Sequence, residues 1–183
     1  MTFLKESEQI NKRNDFENLN NGVNFMSKNK SRSSKKVLVS ACLYGYCCRY
    51  DGKTNMLKDK TFLDWKNRGI LIPVCPEQLG GLKTPRKPSE IRSGRVINNA
   101  DEEVTEQFEN GAEKVLETAK ENNVLFAIMK DNSPSCGCKH IYDGTFSGKK
   151  IDGSGVCADL LLKNGIVVLS EDDMNVAKVL FNE

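Results

Sequence analysis

Short apolar runs recur along this chain at residues 37–39, 70–74, 124–129 and 166–169, and a helical pattern separates each from the next. The runs are continuous rather than alternating, which marks strands buried on both faces. Residues 57–68 read as a helix with Gly69 placed to close it. From Asp101, the residues Val104, Phe108, Ala112, Val115, Leu116 and Ala119 share one helical face, and Asn122-Asn123 ends the pattern. Residues 156–163 read as a third helix, with Gly165 just past it. Ser170 with Asp173 resembles a capping box that opens a last helix. Residues 75–94 are rich in Pro and Gly and read as loop, and Asp143-Gly144 marks a hairpin. Strands alternating with helices define the expected fold class: α/β, a small open, mostly parallel sheet with helices on both faces, Rossmann-like.

That architecture says where chemistry belongs. In open α/β sheets, ligands bind beyond the carboxyl ends of the strands. The first strand runs into Ser40-Ala41-Cys42, the second into Cys75-Pro76-Glu77, and the third into Ser133-Pro134-Ser135-Cys136. Three cysteines far apart in sequence are therefore expected at one end of the sheet.

Composition narrows what those cysteines do. No apolar run approaches the roughly 20 residues that span a bilayer. The basic N-terminus lacks the apolar stretch of a secretory signal. The expected location is the cytoplasm, where thiols stay reduced. Seven cysteines, an odd number, argue there for metal binding or thiol chemistry rather than a disulfide framework. A single histidine, His140, excludes zinc sites that need two or three imidazoles. Residues 1–36 carry net +4 in a chain of net +2, leaving −2 for residues 37–183. This Asn-, Lys- and Ser-rich segment is read as a disordered, solvated tail. Its Lys28, Lys30, Arg32, Lys35 and Lys36 also offer weak electrostatic contact to RNA.

On residue types alone, several readings of the three cysteines stand side by side. Three thiolates suit a [4Fe–4S] cluster with one iron left open, an iron able to act as a Lewis acid toward soft sulfur. They also suit thiolate-bound zinc, a single reactive thiol, or small buried core residues. Glu77 can shuttle a proton beside such a site, or cap a backbone N–H, or pair with an arginine. Ser133 can hydrogen-bond a substrate or relay a proton, or simply shape the turn before Pro134. Arg49, Tyr50, Asp51, Arg86 and Glu90 can read the polar edge of a heterocycle or form loop ion pairs. The stretch DGTFSGKKIDGSG lacks the full phosphate-loop pattern. Gly155 can open a helix toward an anion or serve a tight turn. His140 and Trp65 are read as structural, and Cys157 as core.

Taken together, VSACLYGYCCRYDG, PVCPEQLGGLKTPRKPSEI, KDNSPSCG and IYDGTFSG closely resemble the thiouracil desulfidase family, over about residues 37–171. The resemblance implies a [4Fe–4S] cluster held by Cys42, Cys75 and Cys136, a catalytic carboxylate at Glu77 and a catalytic serine at Ser133. The implied reaction is a non-redox replacement of the thiocarbonyl sulfur of a thiolated pyrimidine such as 4-thiouracil by oxygen, with release of sulfide. Desulfidation of 4-thiouridine in tRNA is the second reading, and a non-catalytic thiolate metal-binding module is the third. Cys47, Cys48 and Cys138 depart from the familiar pattern. Each can compete for the fourth iron, and the expectation is that none ligates it.

Overall fold

In the computed structural model of the chain, which describes residues 35–182, the elements follow in this order. They are β1 (Val37–Ser40), α1 (Ala41–Tyr44), α2 (Lys60–Asn67), β2 (Leu71–Val74), α3 (Pro76–Leu79), β3 (Ser89–Arg92), β4 (Arg95–Asn98), α4 (Thr105–Glu121), β5 (Ala127–Met129), β6 (His140–Tyr142), β7 (Lys150–Asp152), α5 (Val156–Lys163), β8 (Val168–Ser170) and α6 (Met174–Phe181). The four apolar runs of the sequence become one parallel sheet in the order β2-β1-β5-β8. Pro73 lies in β2, an edge strand, where its missing N–H breaks no central ladder.

Period-two alternation along the strands sorts the core onto two faces. Val37, Val39 and Ile128 point one way, against Phe62 and Trp65 of α2 and Phe181 of α6. Trp65 is fully buried there, its ring 4.6 Å from that of Phe181 and 6.2 Å from that of Phe126. Leu38, Ala127 and Met129 point the other way, against Ala112, Val115 and Ala119 of α4 and Leu161 of α5. The α/β fold with helices on both faces is thus the one the sequence pattern implies. No described helix is long and apolar enough to cross a membrane.

Gly69, at φ +66°, follows the end of α2 as read, but the helix starts later than residue 57, at Lys60, because the Asp59 carboxylate accepts from the N–H groups of Thr61 and Phe62. The last helix likewise starts later than Ser170, with Asp173 as its N-cap. The Asp173 carboxylate accepts from the Ser170 N–H and hydroxyl ahead of α6. The hairpin at Asp143-Gly144 forms between β6 and β7.

Residues 75–94 correct the sequence reading, because this segment is not simply loop. It contains α3, a single turn with Pro76 at its first position, and most of an antiparallel hairpin, β3 with β4. One helical turn is too short to show a period. The hairpin turns at Ser93 and Gly94, both at positive φ (51° and 79°), as a two-residue turn demands. The tail read at residues 1–36 lies outside the described residues except at its end. There the Lys35 ammonium donates to the Phe181 carbonyl at 2.9 Å and Lys36 to that of Gly69 at 2.6 Å.

Candidate active site

The order of the parallel strands reverses direction between β1 and β5, the position at which such sheets open a crevice. Beyond the strand ends lies a cavity of about 610 Å³, with Cys42, Cys48, Cys75, Cys136, Glu77 and Ser133 in its wall. The five residues that the family resemblance singled out are thus brought together. Cys42 comes from α1, directly after β1. Cys75 ends the β2 segment at the start of α3, with Glu77 in the first turn of that helix.

Two glycines seat α3. A Cβ on Gly80 would lie 1.8 Å from the Gln107 carbonyl oxygen, and one on Gly111 would lie 2.0 Å from that of Pro76. The backbones of α3 and α4 therefore touch, and only glycine permits it.

The third loop is organised by Asp131, a residue the sequence reading passed over although it stands inside KDNSPSCG. Its Oδ1 accepts from the N–H groups of Cys138, Lys139 and His140 at 3.1–3.2 Å, and its Oδ2 pairs with His140 Nδ1 at 3.1 Å. Burial would push this carboxyl up, but those N–H groups and the His140 ring hold it down at about 2. The far side of the loop is clamped by α5. The N–H groups of Gly155, Val156 and Cys157 donate to the carbonyls of Gly137, Pro134 and Ser135. That answers the anion reading of Gly155, since these donors are already used within the loop. Ser133 Oγ accepts from the N–H groups of Ser135 and Cys136, both at 3.1 Å. With both acceptor positions taken, what Ser133 has left for the cavity is its hydroxyl proton.

Glu77 is paired with an arginine. Arg86 Nε donates to Glu77 Oε2 at 2.6 Å, and the same guanidinium donates to the Cys48 carbonyl at 3.0 Å. Both side chains are largely buried, at 15% and 9% exposure, so the pair is held in a set orientation. Glu77 Oε1 has no partner among the described residues. Arg49 is occupied with Asp51, through two bonds of 3.0 Å, and with Asn55.

The thiols lie close to one another. Cys48 is buried within hydrogen-bonding reach of Cys42 and Cys75, and the Cys42 thiol and burial push it up to about 11. Cys48 and then burial push the Cys75 thiol up, and burial followed by Cys157 does the same for Cys136. Such thiols become thiolates only beside a strongly cationic centre. Among the described residues, no three His, Cys, Asp or Glu side chains converge closely enough to chelate one metal ion. The donor set, thiols from three loops around a roomy cavity, suits an iron–sulfur centre, which favours thiolate ligands. Of the extra cysteines, only Cys48 reaches the cavity wall. Cys47 is exposed, and Cys138 sits on the Asp131 side of its loop.

The structure is thus a parallel α/β sheet with a thiol-lined cavity, bordered by a largely buried carboxylate, at its topological switch point. The chain belongs to the 2-thiouracil desulfurase family, whose match spans residues 37–173. The uncharacterized protein YbbK of Bacillus subtilis (strain 168) is 45% identical over 150 residues, covering 76% of this chain and 97% of YbbK. The solved structure of the [4Fe-4S]-dependent thiouracil desulfidase TudS matches with a TM-score of 0.80 at 36% identity, covering 81% of this chain and 98% of that one.

Proposed function

We propose that this protein is a cytoplasmic desulfidase that hydrolyses the thiocarbonyl of a small thiolated pyrimidine, with 4-thiouracil as the model substrate, using a [4Fe–4S] cluster held by Cys42, Cys75 and Cys136. The observation that carries this reading is that those three thiols line one cavity together with Glu77. A bound cluster would supply Lewis-acid iron suited to thiocarbonyl sulfur. The chain's own groups do the rest. Arg86 holds Glu77 by Oε2, so Oε1 is the atom that takes a proton from water as the water oxygen bonds to the ring carbon. Ser133 serves as a donor, not a base, and steadies the oxygen or nitrogen on which charge develops. The new hydroxyl then gives up the second proton of the water to solvent and becomes the carbonyl, the carbon–sulfur bond breaks, and the proton on Glu77 passes to the departing sulfur, which leaves as hydrosulfide and takes a proton from solvent. Thiocarbonyl plus water gives carbonyl plus hydrogen sulfide, with no electron gained or lost.

One observation favours a second reading. Cys48 stands among the thiols, and as a fourth ligand it would make the site a closed, non-catalytic metal module. Anaerobic reconstitution, iron and sulfide analysis, and an assay with 4-thiouracil separate the two. The desulfidase reading expects uracil and sulfide in equal amounts, and a signal from a unique iron that shifts when substrate is added. It also expects the Cys47→Ser/Cys48→Ser/Cys138→Ser protein to keep its iron and its sulfide release. Four cysteine ligands with no substrate-dependent shift would establish the module instead.

A further inference from the structure

Ser40 closes β1 at the wall of the cavity and is 2% exposed. The parallel pairing of β1 with β5 runs through Leu38 with Ala127 and Val39 with Ile128. One residue further on, the Ser40 hydroxyl takes over from the backbone and accepts from the Lys130 N–H at 2.9 Å. A hydroxyl has one proton to give as well as lone pairs to offer. Here the proton goes to sulfur. Ser40 Oγ donates to Met129 Sδ at 3.6 Å, and the Cys136 thiol is also within its hydrogen-bonding reach. Met129 and Cys136 pack in one buried cluster, and Ser40 and Cys136 line the same cavity.

The two sulfurs are unequal acceptors. A thioether accepts only weakly. A thiolate carries charge, and hydrogen bonds to charged groups are shorter and roughly twice as strong as neutral ones. Cys136 is buried, and its own N–H is spent on Ser133 Oγ. Cys157, Cys75 and Glu77, the other side chains that act most on its sulfur, oppose negative charge there. While Cys136 is a thiol, the Ser40 proton stays with Met129. As an iron ligand Cys136 is a thiolate, and the stronger acceptor takes the proton. Only the hydroxyl hydrogen has to turn, because the oxygen stays where the Lys130 N–H holds it.

We propose that Ser40 is a positioning residue of this site, whose hydroxyl donates to the Cys136 thiolate and draws negative charge off that ligand. This rests on the desulfidase reading, with Cys136 as a ligand. Hydrogen bonds to ligand sulfur are among the levers that set the reduction potential of an iron–sulfur centre. A donor on the thiolate stabilises the more negative, reduced state and so raises the potential. It also leaves iron the stronger Lewis acid toward thiocarbonyl sulfur, although desulfidation itself moves no electrons. The potential therefore reports on the Ser40 hydrogen bond separately from turnover.

The test uses the full chain reconstituted anaerobically, as wild type, Ser40→Ala and Met129→Leu. Iron per chain, the midpoint of cluster reduction in a redox titration, and turnover of 4-thiouracil are measured on each. Ser40→Ala holds as much iron as the wild type, its midpoint shifts to more negative potential, and its turnover slows by about 10-fold, the usual cost of losing a group that bonds a metal ligand. Met129→Leu removes the competing acceptor and keeps the hydroxyl, so its midpoint stays at the wild-type value. A Ser40→Ala midpoint equal to that of the wild type overturns the proposal. So does iron lost from Ser40→Ala as completely as from Cys136→Ser, since Ser40 would then be needed to build the site. A midpoint that rises in Met129→Leu also overturns it, whether or not Ser40→Ala folds, because the hydroxyl would have been held by Met129 until that sulfur was removed. A loaded wild type that leaves 4-thiouracil unchanged overturns the desulfidase reading, while the midpoints still decide Ser40. A chain that takes up no cluster overturns both.

Discussion

The seven cysteines are chemically unequal, and their positions say how. Cys42, Cys75 and Cys136 reach the cavity from three strand ends, whereas Cys157 is wholly buried in α5 against the sheet. Cys42→Ser, Cys75→Ser or Cys136→Ser is each expected to lose the cluster on anaerobic reconstitution, and Cys157→Ser to retain it, as read by iron per chain. Iron lost as completely from Cys157→Ser would sink the ligand assignment. Glu77 differs from the thiols because its partner is Arg86, not a metal ligand. Glu77→Gln keeps an oxygen for Arg86 but cannot take a proton at Oε1. It should hold normal iron while slowing desulfidation by about 10²-fold or more, the scale of general acid–base catalysis. Near-normal turnover by iron-loaded Glu77→Gln would end its role as base. Arg86 and Glu90 were open on the page of letters, since both the ring-reading and the ion-pair roles fit. Folding separates them: Arg86 turns to Glu77, whereas the Glu90 carboxylate accepts from the N–H groups of Gly144 and Phe146 and pairs with no Lys or Arg among the described residues.

At the scale of elements, the parallel strands and the longer helices were legible because burial on a sheet or along a helix leaves a period. The pieces that shape the site left none. α1 and α3 are one turn each, and β3 and β4 are four-residue strands joined at Ser93-Gly94. The α3–α4 contact through Gly80 and Gly111 depends on residues 31 apart in the chain, which no local pattern joins. Asp131 was missed for the same reason, as its partners are backbone N–H groups seven to nine residues away. Those bonds make a prediction about pH. The folded carboxyl is depressed to about 2, below the ordinary aspartate value, so its stabilisation is present above pH ~4 and is lost as pH falls through about 2. Asp131→Asn should therefore cost roughly 2 kcal/mol near neutral pH, with a gap that narrows steadily below pH ~4. Urea denaturation of both proteins at several pH values measures it. A gap independent of pH would mean that the loop depends on shape and not on the charge of Asp131.

Across the whole molecule, the family match and the residues that build both cores begin at about the same place, near Val37. The segment ahead of it holds the chain's excess of positive charge, +4 against −2 for the remainder. Its last two residues, which are described, touch the folded part, Lys35 through the Phe181 carbonyl and ring, and Lys36 through the Gly69 carbonyl. Both contacts lie by α2 and α6, and neither lysine is in the cavity wall. A free base needs only the cavity, because it is smaller than the space the loops enclose. Deleting residues 1–34 should then leave iron content, folding and 4-thiouracil turnover within about twofold of the full chain, surface changes of this kind being worth little. Comparing the two chains on thiolated tRNA separates the substrate classes. A phosphate polymer gains from Lys28, Lys30 and Arg32 in proportion to the counterions they release, so any help from the tail must fade as salt rises. If the truncated chain keeps 4-thiouracil turnover but loses activity on thiolated tRNA, most strongly at low salt, then RNA is the substrate the tail serves. If truncation abolishes turnover of the free base, the segment belongs to the catalytic domain itself.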